Sequence, residues 1–272
     1  MSRGLGDVYK RQDDNFVKYT MVSLQSMMDH ASKEAQYEIH VLHTNISEEM
    51  QKKMHAMENA NFSVQFDHVT EYLHSIQEKL PLRDYYSKTT YFRLFIAEMF
   101  PEIDKAIYID SDTVVLGDIA QLYAYDLGDA YVGACREQVM IQEEVYGTYV
   151  EKVLGVERDN YFNAGMLVIN CEQFRKNHVL KQFMELLPMY NFVVTQDEDY
   201  LNLICHNKVC WLPQKWNVEV FGQIPCREEE ICVLHYIMVS KPWHYNDCRL
   251  QEYFWESCLL YTSDAADEED SV

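Results

Sequence analysis

KAIYIDSD, from Lys105 to Asp112, decides how this chain is read. Ala106, Ile107, Tyr108 and Ile109 are apolar or aromatic with no alternation, the pattern of a strand buried on both faces. The run stops abruptly in Asp110-Ser111-Asp112. Working back, TTYFRLFIAEMF (Thr89 to Phe100) reads as a helix that is apolar nearly all round and is ended by Pro101. Further back, Tyr37–His43 and Phe62–Phe66 read as strands, and Asn15–His30 as a helix with apolar residues at 17, 21, 24 and 28. A polar helix capped by Ser47 follows the first of these strands. Working forward, Tyr131–Cys135 and Gly165–Asn170 read as strands, Val179–Leu187 and Asp197–Cys205 as helices. Gln138–Asn160 and Gln214–Glu230 read as long irregular loops. Strand and helix alternating at this spacing predict an α/β domain, one sheet with helices on both faces. There is no internal repeat and no low-complexity linker.

Composition narrows the class. The 272 residues are 48% hydrophobic and 25% charged, ordinary for a globular chain, with a formal charge of −21. Such a chain repels polyanions, so nucleic acid is not an expected partner. No window approaches 18 consecutive apolar residues, so no transmembrane helix is expected. The eight cysteines form no CxxC pair and read as reduced thiols of a cytoplasmic protein rather than a disulfide framework or zinc site.

The ends of the chain carry a different signal. Asp7-Val8-Tyr9-Lys10-Arg11-Gln12 is encoded by GATGTGTATAAGAGACAG, whose reverse complement, read one base in, gives Cys-Leu-Leu-Tyr-Thr-Ser, the peptide at Cys258–Ser263. Two ends of a protein have no physical reason to be reverse complements. The pair resembles read-through of a sequencing adapter, so residues 1–12 and 258–272 are expected to be non-biological and the catalytic domain to span 13–257. On that expectation the fold's first strand is missing.

Chemistry concentrates in a few places. Carboxylates at Asp110 and Asp112, in a bend at the carboxyl end of a strand, can face one hard divalent cation, although aspartates after a strand are also ordinary turn formers. A second triplet, Asp197-Glu198-Asp199, has the same spacing. His235 can supply a neutral imidazole to Mn²⁺ or serve as a structural histidine. Lys241, six residues on, can offer an ammonium to a diphosphate or simply be solvated.

In order along the chain, YFRLFIAEMFPEIDKAIYIDSDTVVLGDIAQLYAYDLGDAYVGAC, YFNAGMLVIN, TQDEDYLN and HYIMVSKPWHY resemble glycosyltransferase family 8, over about Asp13 to Tyr253. The resemblance implies a GT-A fold, a single domain with a mixed, mostly parallel central sheet, and a retaining, metal-dependent enzyme. Its expected donor is a UDP-sugar (UDP-glucose or UDP-galactose), its acceptor a glycan or lipopolysaccharide-type saccharide, and its cofactor Mn²⁺, with Mg²⁺ as the alternative. Carried over residue by residue, it gives Asp110, Asp112 and His235 as metal ligands and Lys241 as the diphosphate contact. Asp13 and Asn15 fall in the uridine-binding segment. Arg93, Ser111 and Asn163 contact the donor, Asp197 bonds its sugar hydroxyls, and Glu198 faces the anomeric carbon. Bacterial members often carry a basic, aromatic C-terminal tail, so the expected place is the cytoplasm, with peripheral contact at the inner face of the membrane where such a tail exists.

Three positions depart from the family pattern. Glu198 stands where glutamine is usual, which allows either a nucleophilic carboxylate or a harmless exchange. Met238 stands where glycine lets the backbone approach the phosphates. Glu137 represents an acidic residue after the Val-Gly-Ala-Cys strand. Two other functions fit parts of the pattern: a sugar nucleotidyltransferase, which would want a glycine-rich basic loop near the N-terminus, and a non-catalytic nucleotide-sugar or glycan-binding relative.

Overall fold

A computed structural model describes residues 5–8, 14–72, 89–192 and 194–258. Seven strands form the main sheet: β1 (Leu5–Val8), β2 (Tyr37–His43), β3 (Phe62–His68), β4 (Lys105–Asp110), β6 (Val132–Arg136), β7 (Phe162–Asn170) and β8 (Val209–Trp211). Their order is β3-β2-β1-β4-β7-β6-β8. β7 runs antiparallel to both its neighbours and the other pairings are parallel, so the sheet is mixed and mostly parallel. A smaller sheet, β5-β10-β9, is built from Thr113–Val115 (β5), Val218–Glu219 (β9) and Val233–His235 (β10).

β4 lies near the middle, and its alternate residues feed two cores. Ala106 and Tyr108 pack with Phe92, Phe95, Leu167 and Phe183 on one face. Ile107 and Ile109 pack with Met21, Val41, Met166 and Trp216 on the other. Burial on both faces is what the unbroken apolar run of this strand requires. The Asp14–His30 helix covers the second face with Val17, Met21, Leu24 and Met27. Ser47 caps the Glu48–His55 helix, its hydroxyl accepting from the Met50 amide.

Three expectations are corrected. The first-strand slot is not left open: Leu5–Val8, from the stretch expected to be non-biological, fills it between β2 and β4, parallel to both. Thr89–Phe100 is not one helix; Thr89–Leu94 is a 3₁₀ turn and only Ile96–Met99 is α-helical. Residues 91–97 are all buried, which leaves no periodicity to specify the winding, and tertiary packing chose the tighter one. Gln138–Asn160 is not irregular. It holds short helices at Gln138–Gln142 and Glu144–Tyr149, a π-helical turn at Val150–Leu154 and a 3₁₀ turn at Arg158–Asn160. Gln214–Glu230 is mostly loop, interrupted by two 3₁₀ turns and the two-residue β9.

All eight cysteines are free. Among the described residues, no helix is long and apolar enough to cross a membrane.

Candidate functional site

The end of β4 builds the site. After Asp110 the chain turns sharply, with the Thr113 hydroxyl donating to the Asp110 carbonyl at 2.8 Å, and re-enters as β5 of the small sheet. β5 pairs antiparallel with β10 so that Thr113 stands opposite His235, and the Tyr236 amide donates to the Asp112 carbonyl at 2.9 Å. That register brings a histidine 123 to 125 positions away in sequence onto the two aspartates. His235 Nε2 lies 3.3 Å from Asp112 Oδ1 and 4.0 Å from Asp110 Oδ2. Ligand atoms of the three residues lie within 4.8 Å of one another, all three side chains being buried.

Two observations show that this group suits a divalent cation. The first is chemical. Asn217 donates its Nδ2–H to Asn163 Oδ1 at 2.8 Å, so its own Oδ1 is left to accept from His235 Nδ1 at 3.1 Å. With Nδ1 donating there, Nε2 is the ring nitrogen that faces the two carboxylates and the one a cation would take. The second is steric. A Cβ on Gly165 would stand 2.2 Å from His235 Cε1 and 2.9 Å from Asp110 Oδ2, so only glycine lets β7 pass beneath the cluster. Lys241 Nζ donates to Asp112 Oδ2 and to the Tyr236 carbonyl, completing the cluster's outer side.

Above it opens a cavity of about 370 Å³ lined by Arg93, Asp110, Asp112, Asn163, Asp197, Glu198 and His235, among others. Its floor is strongly acidic, which makes it hostile to a diphosphate unless positive charge accompanies it. Arg93, on the 3₁₀ turn, is buried and spans two of the acids: Nη2 reaches Asp110 Oδ1 at 3.3 Å and Nε reaches Asp197 Oδ2 at 3.0 Å. It also bonds the Ala164 carbonyl and stacks over the Tyr108 ring. Burial works against the guanidinium charge, but Asp197, Tyr108 and Asp110 outweigh it and hold its pKa above the usual value.

Asp197 and Glu198 open the Asp197–Cys205 helix. Glu198 Oε2 accepts from the Ala164 amide at 2.7 Å. Burial, then the neighbouring Glu137, push the Glu198 carboxyl well above the carboxylate range. Glu137, which sequence left uncertain, lines the cavity, accepts from Asn163 Nδ2 and caps the Gln138–Gln142 helix through Val139. A register shift in β6 between Ala134 and Arg136 immediately precedes it. Behind Glu137 lies Glu219, fully buried, with both oxygens accepting from the Gln138 amide and its pKa raised by burial and by Glu137.

Of the residues singled out from sequence, the structure therefore gathers Arg93, Asp110, Asp112, Asn163, Asp197, Glu198 and His235 at one cavity, with Lys241 against Asp112. Ser111 is buried in the turn between the aspartates. Asn15 falls in the first turn of the Asp14–His30 helix, and Asp13 lies outside the described residues. Sequence reasoning missed Gly165, Asn217 and Glu219. Gly165 carries a signal, a lone glycine inside an otherwise apolar strand; Asn217 and Glu219 carry none.

A mixed sheet of this order, with paired carboxylates ending a central strand beneath an acidic cleft, is the architecture of a GT-A glycosyltransferase. Residues 8–247 match the model of Glycosyl transferase family 8, and the chain belongs to that family. It is 24% identical to the lipopolysaccharide 1,3-galactosyltransferase of Salmonella typhimurium, over 91% of this chain and 78% of that protein. A Haemophilus influenzae relative is 32% identical over 170 residues, 59% of this chain, and the chain spans only 50% of that protein's length. The crystal structure of galactosyltransferase LgtC with donor and acceptor sugar analogues superposes with a TM-score of 0.75 at 26% identity, covering 94% of this chain and 95% of that one. An active-site variant of LgtC with glutamate in place of glutamine matches equally well, at 27% identity.

Proposed function

We propose that the chain is a retaining hexosyltransferase that moves glucose or galactose from a UDP-sugar to a glycan or lipopolysaccharide-type acceptor, with residues 13–257 as its catalytic unit acting in the cytoplasm. The observation that carries this reading is the convergence of Asp110, Asp112 and His235, with the imidazole tautomer fixed by Asn217, on the floor of a cavity lined by donor-type polar groups. The names of the relatives support the substrate classes.

Asp110, Asp112 and His235 would hold the divalent cation, Mn²⁺ in preference to Mg²⁺ because one ligand is an imidazole. Bound there, it supplies positive charge where the β-phosphate becomes anionic as UDP departs. Lys241, whose ammonium lies against Asp112, would offer it to the same diphosphate. Asp197, immobilised by Arg93, accepts from sugar hydroxyls. Burial and Glu137 push the Glu198 carboxyl well above the ordinary carboxylate range, which suits it to hydrogen-bond the donor as an amide would. The transfer we propose is same-face. The acceptor oxygen forms its bond to the anomeric carbon as the bond to the phosphate oxygen breaks, and the acceptor proton passes to that departing phosphate.

The test is a thermal melt of the chain alone, with UDP, with Mn²⁺ and with both, followed by UDP release from UDP-glucose and UDP-galactose. A ligand that binds only the native state raises the transition. The expected result is a rise with UDP that requires Mn²⁺. A clean transition that neither moves would overturn the reading.

A further inference from the structure

Asp199 plays no part in the chemistry above, yet it is completely buried one turn from the cavity and its carboxylate is surrounded by hydroxyls. Tyr149 donates to Oδ2 at 2.8 Å, and Tyr161 to Oδ1 at 2.9 Å. The Thr195 amide reaches Oδ2 at 3.4 Å, while the Thr195 hydroxyl meets the Tyr161 hydroxyl at 2.7 Å. These partners come from three separate places: the Glu144–Tyr149 helix, the residue preceding β7, and the loop entering the Asp197–Cys205 helix. Between Thr195 and that helix lies Gln196, with φ 53° and ψ −106°, a left-sided conformation that a side-chain-bearing residue adopts only when its surroundings enforce it.

We propose that Asp199 is a positioning residue: with Tyr149, Tyr161 and Thr195 it locks the strained Gln196 turn, and so aims Asp197 and Glu198 into the cavity. This rests on the transferase reading and assigns the group that aligns its sugar-facing acids. The geometry fits the task. Asp197 and Glu198 are the two residues between Gln196 and Asp199, and their carboxylates are held by Arg93 Nε and the Ala164 amide. The second turn of the same helix is pinned independently. Asn202 bonds both the amide and the carbonyl of Phe162 at 2.9 Å, so the helix stays docked when the first-turn lock is loosened. Tyr149 links two parts of the cavity lining: its helix supplies Tyr146 and the helix before it Val139 and Met140, while the segment leading into Asp199 supplies Val194 to Glu198. The hydrogen bond between Tyr149 and Asp199 therefore ties these two parts of the lining together.

The experiment compares wild type with Tyr149→Phe, and with Thr195→Val as the second variant, which deletes only the hydroxyl that Tyr161 meets. Three quantities are read: the melting temperature, the Kd for UDP with Mn²⁺, and kcat and KM for UDP release from the better of UDP-glucose and UDP-galactose. The expected result is a kcat lowered by about ten- to a hundred-fold, the loss that a misaligned reacting group produces, with UDP affinity and KM within about two-fold of wild type. Unchanged kcat in the folded variants overturns the proposal. So does a loss of kcat matched by an equal loss of UDP affinity and a fallen melting temperature, which marks a purely structural role. Failure of wild type to bind UDP with Mn²⁺ or to release UDP overturns the transferase reading and is seen before any variant is compared.

Discussion

Gly165→Ala is the sharpest perturbation the structure offers, because it adds one methyl group at the single point where β7 passes under the candidate metal ligands. The new Cβ would stand 2.2 Å from His235 Cε1, 3.0 Å from His235 Nε2 and 2.9 Å from Asp110 Oδ2. Carbon atoms in contact sit about 3.5–4.0 Å apart, so the imidazole must retreat by at least roughly 1.3 Å. Metal–ligand distances hold to within about 0.2 Å, so such a retreat removes His235 from the coordination set. The ring has no room to swing: it is buried and tethered to Asn217. Overpacking of this kind costs about 1–3 kcal/mol. For a domain of this size that is a fall of about 2–12 °C in melting temperature, leaving the protein folded. Disturbing only the outer partners of a ligand costs about 10–100-fold in metal affinity, so displacing the ligand itself should cost about 100-fold or more. Mn²⁺ titration followed by electron paramagnetic resonance of the free ion, beside a circular-dichroism melt, measures both quantities. A folded Gly165→Ala protein that binds Mn²⁺ as wild type does would refute the argument that these three residues share one cation.

Three further substitutions test separate parts of the site. Asn217→Ala removes the acceptor that holds the His235 proton on Nδ1 and should weaken Mn²⁺ about 10–100-fold by the same titration, with nitrogen NMR of the imidazole showing mixed tautomers in the metal-free protein. Met238→Gly relieves a residue held at φ 56° at the rim of the cavity, and a rise of about 1 kcal/mol in chemical-denaturation stability is expected. Glu198→Gln should keep UDP release and raise stability in a pH-dependent way. Because burial raises the folded pKa of Glu198, ionisation of the unfolded chain above about 4.5 erodes wild-type stability until the folded group also ionises. The melting temperatures of the two proteins should then converge below pH 4 and separate as pH climbs from there. Separation that is already full at low pH would show that the carboxyl is not held protonated.

The strands on either side of the site were legible because each writes its burial locally. AIYI within KAIYID and MLVI within GMLVIN are apolar without interruption, and the structure buries both on two faces at the middle of the sheet. Ser47, a serine before a polar helix, was readable as a cap for the same reason: cap and helix are neighbours in sequence. The 3₁₀ turn that carries Arg93 was not readable, since its residues 91–94 are all buried and show no exposed face to reveal the pitch. Nor were the five- and six-residue helices between Gln138 and Tyr149, which are too short to show a period. Leu5–Val8 could take the first-strand position because parallel pairing is made by backbone amides and carbonyls that every such residue carries.

By itself, then, the sequence determined the alternation of strands and helices, the carboxylates at the end of β4, and the ordered motifs that name the family. Only the tertiary structure decided what those carboxylates face. Thr113 opposite His235, Asn217 behind the imidazole, Glu219 behind Glu137 and the missing side chain of Gly165 beneath the cluster are contacts between residues 18 to 122 positions apart. Local sequence fixes which face of a strand a side chain takes. Which distant group it meets there depends on sheet order and register, and those are set when all the strands pack at once.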